Sequence, residues 1–247
     1  MYDVDSRRLV KAFRRAEACS RPEDFMRRAG NLIQAVEHPH QPPHAIDPFT
    51  FALHDIVQDL LRLGATATQM SRLSQAHRAW LFAVAWQMTN QHHGVIPTVN
   101  DYPTIRQRTI GGDIHLALFD FLHAQELHDR DLHDPPVRAL TEMMFFLGGM
   151  DNDLQSPPAK DAIEENHTIF SALVQEEGID QREARQRAVA MRDQVTYRFL
   201  QLHDQTAVRA GKVLRQYLDC LSHTIRGNLD WGVNVPRYSG TSHRTTR

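Results

Sequence analysis

Helical periodicity runs through this 247-residue chain and limits its fold more than any other feature. From Pro48 to Leu63, apolar side chains recur every three or four positions, which places them on one face of a helix. A longer stripe with the same spacing runs from Ser71 to Gln91 and stops before Gly94, a residue type that commonly follows a helix. No segment alternates β-branched or aromatic residues with polar ones over the length of a strand. The pattern therefore predicts an all-α protein.

The same spacing predicts helices on both sides of these two segments. Between Asp5 and Val36 the apolar stripe is interrupted near Pro22, which indicates two helices in succession. The remaining predicted helices are Asn100–Ile110, Ile114–Ala124, Pro136–Gln155, Lys160–Glu177, Gln181–Gln205 and Ala210–Trp231. No internal repeat is evident, so we expect one bundle rather than a solenoid. We expect residues 1–240 to form a single domain and residues 241–247 a disordered tail.

The charge balance excludes several classes of partner. The chain has 28 basic and 30 acidic residues, so no global field would recruit nucleic acid or an anionic membrane. Two cysteines, Cys19 and Cys220, are too few for a disulfide framework and fit a reducing compartment. The chain has no signal-peptide pattern and no apolar run long enough to cross a membrane, which favours a cytoplasmic protein without stable membrane insertion. No pattern fixes the oligomeric state, and a homodimer stays open.

The segment that begins at Asp151 carries the clearest chemistry. Asn152 and Ser156 are one helical turn apart and project from the same face. An amide oxygen and a hydroxyl suit Mg²⁺, which leaves other coordination positions for phosphate oxygens. A second interpretation stays open: the helix stops, and Ser156 caps a new helix that begins at Pro157.

Four landmarks in this order resemble class I terpene synthases. Residues 152–156, Asn-Asp-Leu-Gln-Ser, are similar to the start of the family's second metal-binding motif. Upstream, residues 97–109 resemble the family segment whose arginine senses pyrophosphate, and Arg106 stands at that position. Gly111 and Gly112 match a helix break whose backbone carbonyl is proposed to respond to substrate ionisation. Residues 227–238 resemble the closing segment, which ends in an Arg-Tyr pair that bonds pyrophosphate.

The resemblance is to the microbial type and is closest to fungal sesquiterpene synthases. It implies a class I terpenoid synthase helical bundle around a central cavity. It also implies a lyase that ionises and cyclises a linear isoprenyl diphosphate, farnesyl diphosphate being expected, to a sesquiterpene with release of diphosphate. Metal ions and basic donors would neutralise the departing diphosphate, and aromatic faces would stabilise the carbocation.

The implied site residues fall into three groups. The expected ligands of three Mg²⁺ ions are Asn152, Ser156, Asp161, Asp3 and Asp5. The expected diphosphate ligands are Arg106, Lys160, Arg237 and Tyr238, of which Arg106, Arg237 and Tyr238 are also assigned a catalytic role. The expected cavity side chains are Trp86, Phe145, Phe146 and Trp231.

The chain also departs from the family pattern. Lys160 stands where the family has an acidic ligand, and Asp161 could replace it only if the helix kinks near the paired prolines. Asp3 and Asp5 form the only acidic cluster near the expected first metal motif, but they do not share a helical face. The family domain is usually longer at its N-terminus, so the first helices are expected to be lacking. A truncated or degenerate non-catalytic relative is therefore the alternative, and an unrelated helical interaction module is a third hypothesis.

Overall fold

The computed structural model describes residues 21–43, 47–123, 126–156 and 167–235. In those four ranges the secondary structure consists of α-helices and their connections, with no strand, which confirms the all-α prediction. The helices are α1 (Pro22–Glu37), α2 (Pro48–Arg62), α3 (Ala67–His93), α4 (Asp101–Thr109), α5 (Gly112–Ala117), α6 (Phe119–Leu122), α7 (Asp129–Leu132), α8 (Pro135–Gln155), α9 (Ile169–Glu177), α10 (Gln181–Arg209) and α11 (Lys212–Asn234). Among the described helices, none is both long and apolar enough to cross a membrane.

The chain divides into two compact units, and the first is Met1–Ala65. Its described part is the helix pair α1 and α2, which pack against each other. The guanidinium of Arg28 lies over the ring of Phe49, 5.5 Å from its centroid. Asp47 begins α2 as its N-cap, because its carboxylate accepts hydrogen bonds from the backbone N–H groups of Phe49 and Thr50 at 3.1 and 3.2 Å.

The second unit, Thr66–Arg247, is organised around α8. This helix packs against α4, α10 and α11. Its buried side chains lie on all sides of the helix, as expected for a central helix. Leu140 and Phe145 belong to one hydrophobic cluster, which also contains Leu218 of α11, whereas Met150 belongs to a second cluster with Tyr102 and Ile169. The C-terminal turn of α8 therefore ends inside the second cluster.

Local sequence signals explain where the main helices end. Helix α3 ends before Gly94, which adopts a left-handed conformation with φ of 66°, as predicted. Helix α8 ends at Gln155, again as predicted. The next residue, Ser156, has an extended backbone with φ of −63° and ψ of 133°. A residue that precedes proline is disfavoured in the helical region, so Pro157 accounts for this end.

Two predicted helices are wrong in extent. The segment Ile114–Ala124 is not one helix, because α5 and α6 are separate and meet at Leu118. Helix α6 ends at Leu122, and the buried Asp120 within it accepts a hydrogen bond from the backbone N–H of Leu127 at 3.1 Å. The predicted helix Lys160–Glu177 is not continuous either: residues 160–166 lie outside the described residues, and α9 begins at Ile169, where Thr168 forms a capping box with Ser171.

Candidate active site

Three consecutive polar residues, Asp151, Asn152 and Asp153, occupy the last turn of α8. Asp151 is only 2% exposed and Asp153 only 4%. Successive side chains of a helix are about 100° apart, so the three point in three different directions. The end of α8 therefore carries two buried carboxylates and an amide within a single turn.

Arg106 of α4 meets two of these side chains. Its Nη2 donates to Asn152 Oδ1 at 2.6 Å and to Asp153 Oδ1 at 2.7 Å. The aliphatic part of Arg106 crosses α8 at Gly149, where a Cβ would lie only 2.7 Å from Arg106 Cγ. A glycine is thus required where the two helices cross. The structure also brings together Arg106 and Asn152, which are 46 residues apart in sequence.

Asp153 is bound by two further donors through its other oxygen. Tyr102 Oη donates to Asp153 Oδ2 at 2.7 Å, and the backbone N–H of Ile169 donates to the same oxygen at 3.0 Å. Burial raises the pKa of Tyr102 well above its ordinary value, and the Asp153 carboxylate adds to this shift. Burial is the largest influence on the pKa of Arg106 and lowers it, but Asp153 and Tyr102 together outweigh burial, so the net shift is upward.

Asp151 faces the opposite side of the helix and binds a different arginine. Arg192 of α10 donates from Nε to Asp151 Oδ1 at 2.8 Å. Burial raises the pKa of Asp151, although the Arg192 guanidinium opposes this shift. Arg185, also on α10, donates to the backbone carbonyl of Leu154 at 2.7 Å. These contacts fix α10 against the end of α8 on the side away from Arg106.

His167 lies in the same region and is 8% exposed. Burial, together with the positive charge of Arg106, lowers the pKa of His167 to about 4. Its Nε2 is buried without a hydrogen-bond partner, and so is Nε of Arg106. At neutral pH the region therefore holds a neutral imidazole and a charged guanidinium, each with one unpartnered polar atom.

The end of α8 also offers oxygen donors of the kind that a hard cation binds. Asn152 contributes an amide oxygen, and Ser156 a hydroxyl whose Oγ donates to the Asn152 backbone carbonyl at 2.7 Å. The C-terminal end of a helix carries partial negative charge, which favours a nearby cation. The donor set fits Mg²⁺. Over the described ranges, no group of three or more His, Cys, Asp or Glu side chains is placed to hold a metal.

A cavity of about 640 Å³ lies elsewhere in the second unit. Its lining comes from the α5–α6 region and from α11. The lining residues are His115, His123, Gln216, Asp219, Cys220, His223, Thr224, Gly227 and Asn228. Its lining includes none of the four aromatic side chains expected to line the catalytic cavity.

Comparison with known proteins identifies the family. The model of "Terpene synthase family 2, C-terminal metal binding" matches residues 11–197. The chain belongs to this terpene synthase family. Among curated relatives, spiroviolene synthase from Streptomyces violens is 37% identical over 222 residues, covering 89% of this chain and 61% of the relative. Bonnadiene synthase from Allokutzneria albata is 31% identical over 227 residues, covering 90% of this chain and 61% of the relative.

Solved structures of similar proteins share the terpene synthase fold. The SVS_A2 protein from ancestral sequence reconstruction is 38% identical, with a TM-score of 0.80 over 87% of this chain and 63% of that one. A structure of a-eudesmol synthase is 21% identical, with a TM-score of 0.73 over 87% of this chain and 73% of that one, which shows the fold alone. The present chain spans about 61% of the length of the two curated relatives.

The structure brings together only part of the terpene synthase site that the motifs predicted. Arg106, Asn152 and Ser156 lie at or beside the end of α8. The other predicted metal and diphosphate ligands lie outside the described residues: Asp3, Asp5, Lys160, Asp161, Arg237 and Tyr238. The predicted disordered tail lies outside them as well, and the new helix proposed to begin at Pro157 is not described. Ser156 itself bonds back to α8.

The predicted aromatic cavity residues lie in different surroundings. Phe145 is 5% exposed within the first hydrophobic cluster, and Phe146 packs against the second. Trp86 forms an edge-to-face pair with Phe82 at 6.4 Å between ring centroids, whereas Trp231 is 49% exposed. Their role as cavity side chains remains a prediction.

The glycine pair at the predicted helix break meets both physical requirements for glycine. Gly111 has a φ of 76°, in the left-handed region that favours glycine. Gly112 has an ordinary backbone, but a Cβ there would lie 2.3 Å from the ring of Phe145. The break between α4 and α5 therefore requires glycine twice, for different reasons.

Sequence reasoning assigned no role to Asp153, Tyr102 or His167. A carboxylate directly after the predicted metal ligand Asn152 and within an apolar helix was one available signal, because such a group needs a buried partner. Nothing in the sequence identified Tyr102 and the Ile169 N–H as those donors.

Proposed function

We propose that this chain carries the diphosphate-binding and metal-binding part of a terpene synthase, a lyase that ionises and cyclises a linear isoprenyl diphosphate. The observation that carries the proposal is the meeting of Arg106 with Asn152 at the C-terminal end of a buried helix. A fixed guanidinium beside oxygen donors for a cation suits a diphosphate, whose oxygens take both kinds of contact. Family membership supports the same assignment.

In the proposed reaction the bond between C1 of the isoprenyl chain and the diphosphate oxygen breaks, and its electron pair leaves with diphosphate. The allylic cation then cyclises and ends the reaction by losing a proton or capturing water. Arg106 would bind the departing diphosphate, and Asn152 and Ser156 would hold Mg²⁺. The metal, when bound, would offset the negative charge of the leaving group. Lys160, Arg237 and Tyr238 remain proposed diphosphate donors, and Asp161, Asp3 and Asp5 remain proposed metal ligands.

The length of the isoprenyl chain is the finer part of the proposal. A relative from Streptomyces clavuligerus, 26% identical, is named as a farnesyl diphosphate cyclising synthase. Another relative, 29% identical, is named as a diterpene cyclase. We keep farnesyl diphosphate as the expected substrate and include geranylgeranyl diphosphate as the competing one.

The direct test incubates the 247-residue chain with each diphosphate and Mg²⁺ and measures both terpene and released pyrophosphate. We expect a Mg²⁺-dependent product, and we expect Asn152→Ala to lower its rate by about 100-fold, the scale of a single electrostatic contact to a reacting group. The matched control is Asn90→Ala, since Asn90 also lies in the last turn of its helix, α3, and has no assigned role in the site. Equal rates in wild type and Asn152→Ala would contradict the assignment.

A second candidate function is diphosphate binding without ionisation. It is favoured by Lys160, which stands where the family has an acidic metal ligand. On this hypothesis pyrophosphate binds to the chain, but no terpene forms from any of the isoprenyl diphosphates. Calorimetric titration with pyrophosphate, performed beside the product assay, separates the two functions.

A further inference from the structure

The Asp153 carboxylate is held on both of its oxygens by groups from two other helices. Oδ2 accepts from Tyr102 Oη at 2.7 Å and from the Ile169 N–H at 3.0 Å. Oδ1 accepts from Arg106 Nη2 at 2.7 Å. The side chain of Asp153 is only 3% exposed, so water does not compete appreciably for these bonds. Two donors on one oxygen restrict rotation of the carboxylate and thereby define the position of the other oxygen.

The position of Oδ1 in turn defines the position of the Arg106 guanidinium. Arginine loses considerable rotamer freedom when it is fixed, and an arginine that is already fixed does not incur that loss when a ligand binds. Nη2 of Arg106 serves Asp153 and Asn152 together, at 2.7 and 2.6 Å. The guanidinium is therefore aligned with the proposed metal ligand, while Nε–H has no partner.

We propose that Asp153 is a positioning residue that holds Arg106 in the orientation required to bind diphosphate. Tyr102 and the Ile169 N–H contribute by holding the Asp153 carboxylate in place through hydrogen bonds to Oδ2. The inference rests on the proposed function, because it assigns diphosphate as the ligand of Arg106. Asp153 itself touches neither substrate nor metal in this assignment and acts through Arg106.

Asp151 provides a matched control within the same helical turn. Its side chain is 2% exposed, and its partner Arg192, at 2.8 Å, is 20% exposed. The Asp153 pair has nearly the same values, with Arg106 at 2.7 Å and 18% exposed. Because Asp151 and Asp153 point about 200° apart around the helix, Asp151→Asn removes an equivalent ion pair without touching Arg106.

The experiment is calorimetric titration of the 247-residue chain with inorganic pyrophosphate in excess Mg²⁺. Wild type, Asp153→Asn and Asp151→Asn are compared, and each is checked by circular dichroism and thermal unfolding. We expect Asp153→Asn to weaken pyrophosphate binding by about tenfold or more, as is typical for partners that orient a ligand-binding group. Asp151→Asn should change the affinity by less than about twofold, although both variants lower the unfolding midpoint.

Tyr102→Phe is the second variant, because it removes one donor to Asp153 while leaving the ion pair with Arg106. We expect it to weaken pyrophosphate binding by a smaller factor, about threefold. If Asp153→Asn does not fold, the affinity of Tyr102→Phe tests the positioning role of Asp153 in its place. Unchanged affinity in Tyr102→Phe would then overturn the proposal.

The remaining outcomes separate this inference from the proposed function. Equal losses of affinity in Asp153→Asn and Asp151→Asn, or no loss in Asp153→Asn, would overturn the positioning role while the diphosphate site stands. A wild-type chain that binds no pyrophosphate would overturn both. Pyrophosphate binding without terpene formation would contradict the proposed catalysis alone, and the variant affinities would still decide the role of Asp153.

Discussion

Asp151 and Asp153 have the same side chain, lie two positions apart and are almost equally buried, yet they serve different contacts. Asp151 binds Arg192 of α10, and Asp153 binds Arg106 of α4. A buried carboxylate is costly unless it is paired and hydrogen-bonded, so each needs its own arginine. At the residue scale, the direction of the side chain from the helix decides which aspartate belongs to the candidate site.

His167 gives a prediction about pH at the same scale. Its folded-state pKa is lowered from 6.5 to about 4, so the folded chain resists protonation that the unfolded chain accepts. The sign follows: no stability is lost above pH 6.5, and stability falls as the pH drops from 6.5 towards 4. Between pH 7 and pH 5 we expect His167 alone to lower the free energy of unfolding by about 2 kcal/mol.

The measurement is urea unfolding of wild type and His167→Gln at both pH values. Glutamine does not titrate, so the variant should lose about 2 kcal/mol less than wild type over this interval. The difference between the two proteins cancels the contributions of the other histidines. Parallel losses in wild type and variant would contradict the assigned pKa.

At the scale of elements, the candidate site lies where one helix ends and another begins. Helix α8 ends at Gln155, and α9 begins at Ile169. The first N–H groups of any helix lack partners within that helix. The N–H of Ile169 finds its partner in Asp153 of α8, and the positive end of the α9 dipole also favours that carboxylate. The start of α9 is thereby coupled to the position of Arg106.

This coupling predicts an effect of the α9 N-cap on ligand binding. Thr168→Ala removes a capping box and should cost about 1 kcal/mol of stability. We also expect weaker pyrophosphate binding, because a frayed α9 no longer holds the Ile169 N–H against Asp153. Thermal unfolding and calorimetric titration measure the two effects separately.

Thr66→Ala is the control for this prediction. Thr66 forms the same kind of capping box with Gln69 at the start of α3. Its replacement should cost a similar amount of stability and leave pyrophosphate affinity unchanged. If the two variants bind pyrophosphate equally well, the proposed coupling through α9 is wrong.

At the scale of the whole molecule, all described contacts of the candidate site lie within the unit Thr66–Arg247. Both hydrophobic clusters lie there too, and α8 connects them. The first cluster buries residues from α8 and α11, whereas the second surrounds the end of α8 with residues from α4, α9 and α10. The packing that supports the site is therefore contained in one unit.

We predict that residues 66–247, expressed alone, form a cooperatively unfolding helical protein. The physical reason is that both clusters are retained. Circular dichroism during heating is the measurement, and Leu147→Ala in the same fragment is the control. Leu147 is fully buried, so this change should lower stability by about 2–5 kcal/mol. A fragment without a cooperative transition would instead favour the single domain expected for residues 1–240.

Much of the fold could be predicted from local signals. Apolar spacing indicated the helices, Gly94 the end of α3, and Pro157 the end of α8. The interruption before α9 was missed because helical spacing outweighed the N-cap signal of Thr168. For the candidate site, family motifs singled out Arg106 and Asn152 separately, and the structure shows Arg106 Nη2 donating to Asn152 Oδ1 at 2.6 Å.

What the sequence determined by itself was helical class, most helix boundaries and the two motif residues that meet, because each depends on local spacing or on a recognisable pattern. Only the tertiary structure decided that Asp153 and not Asp151 faces Arg106, and that Tyr102 and the Ile169 N–H hold it there. The partners of Asp153 lie 16 to 51 residues away in sequence, and they reach it only because three helices pack at one point.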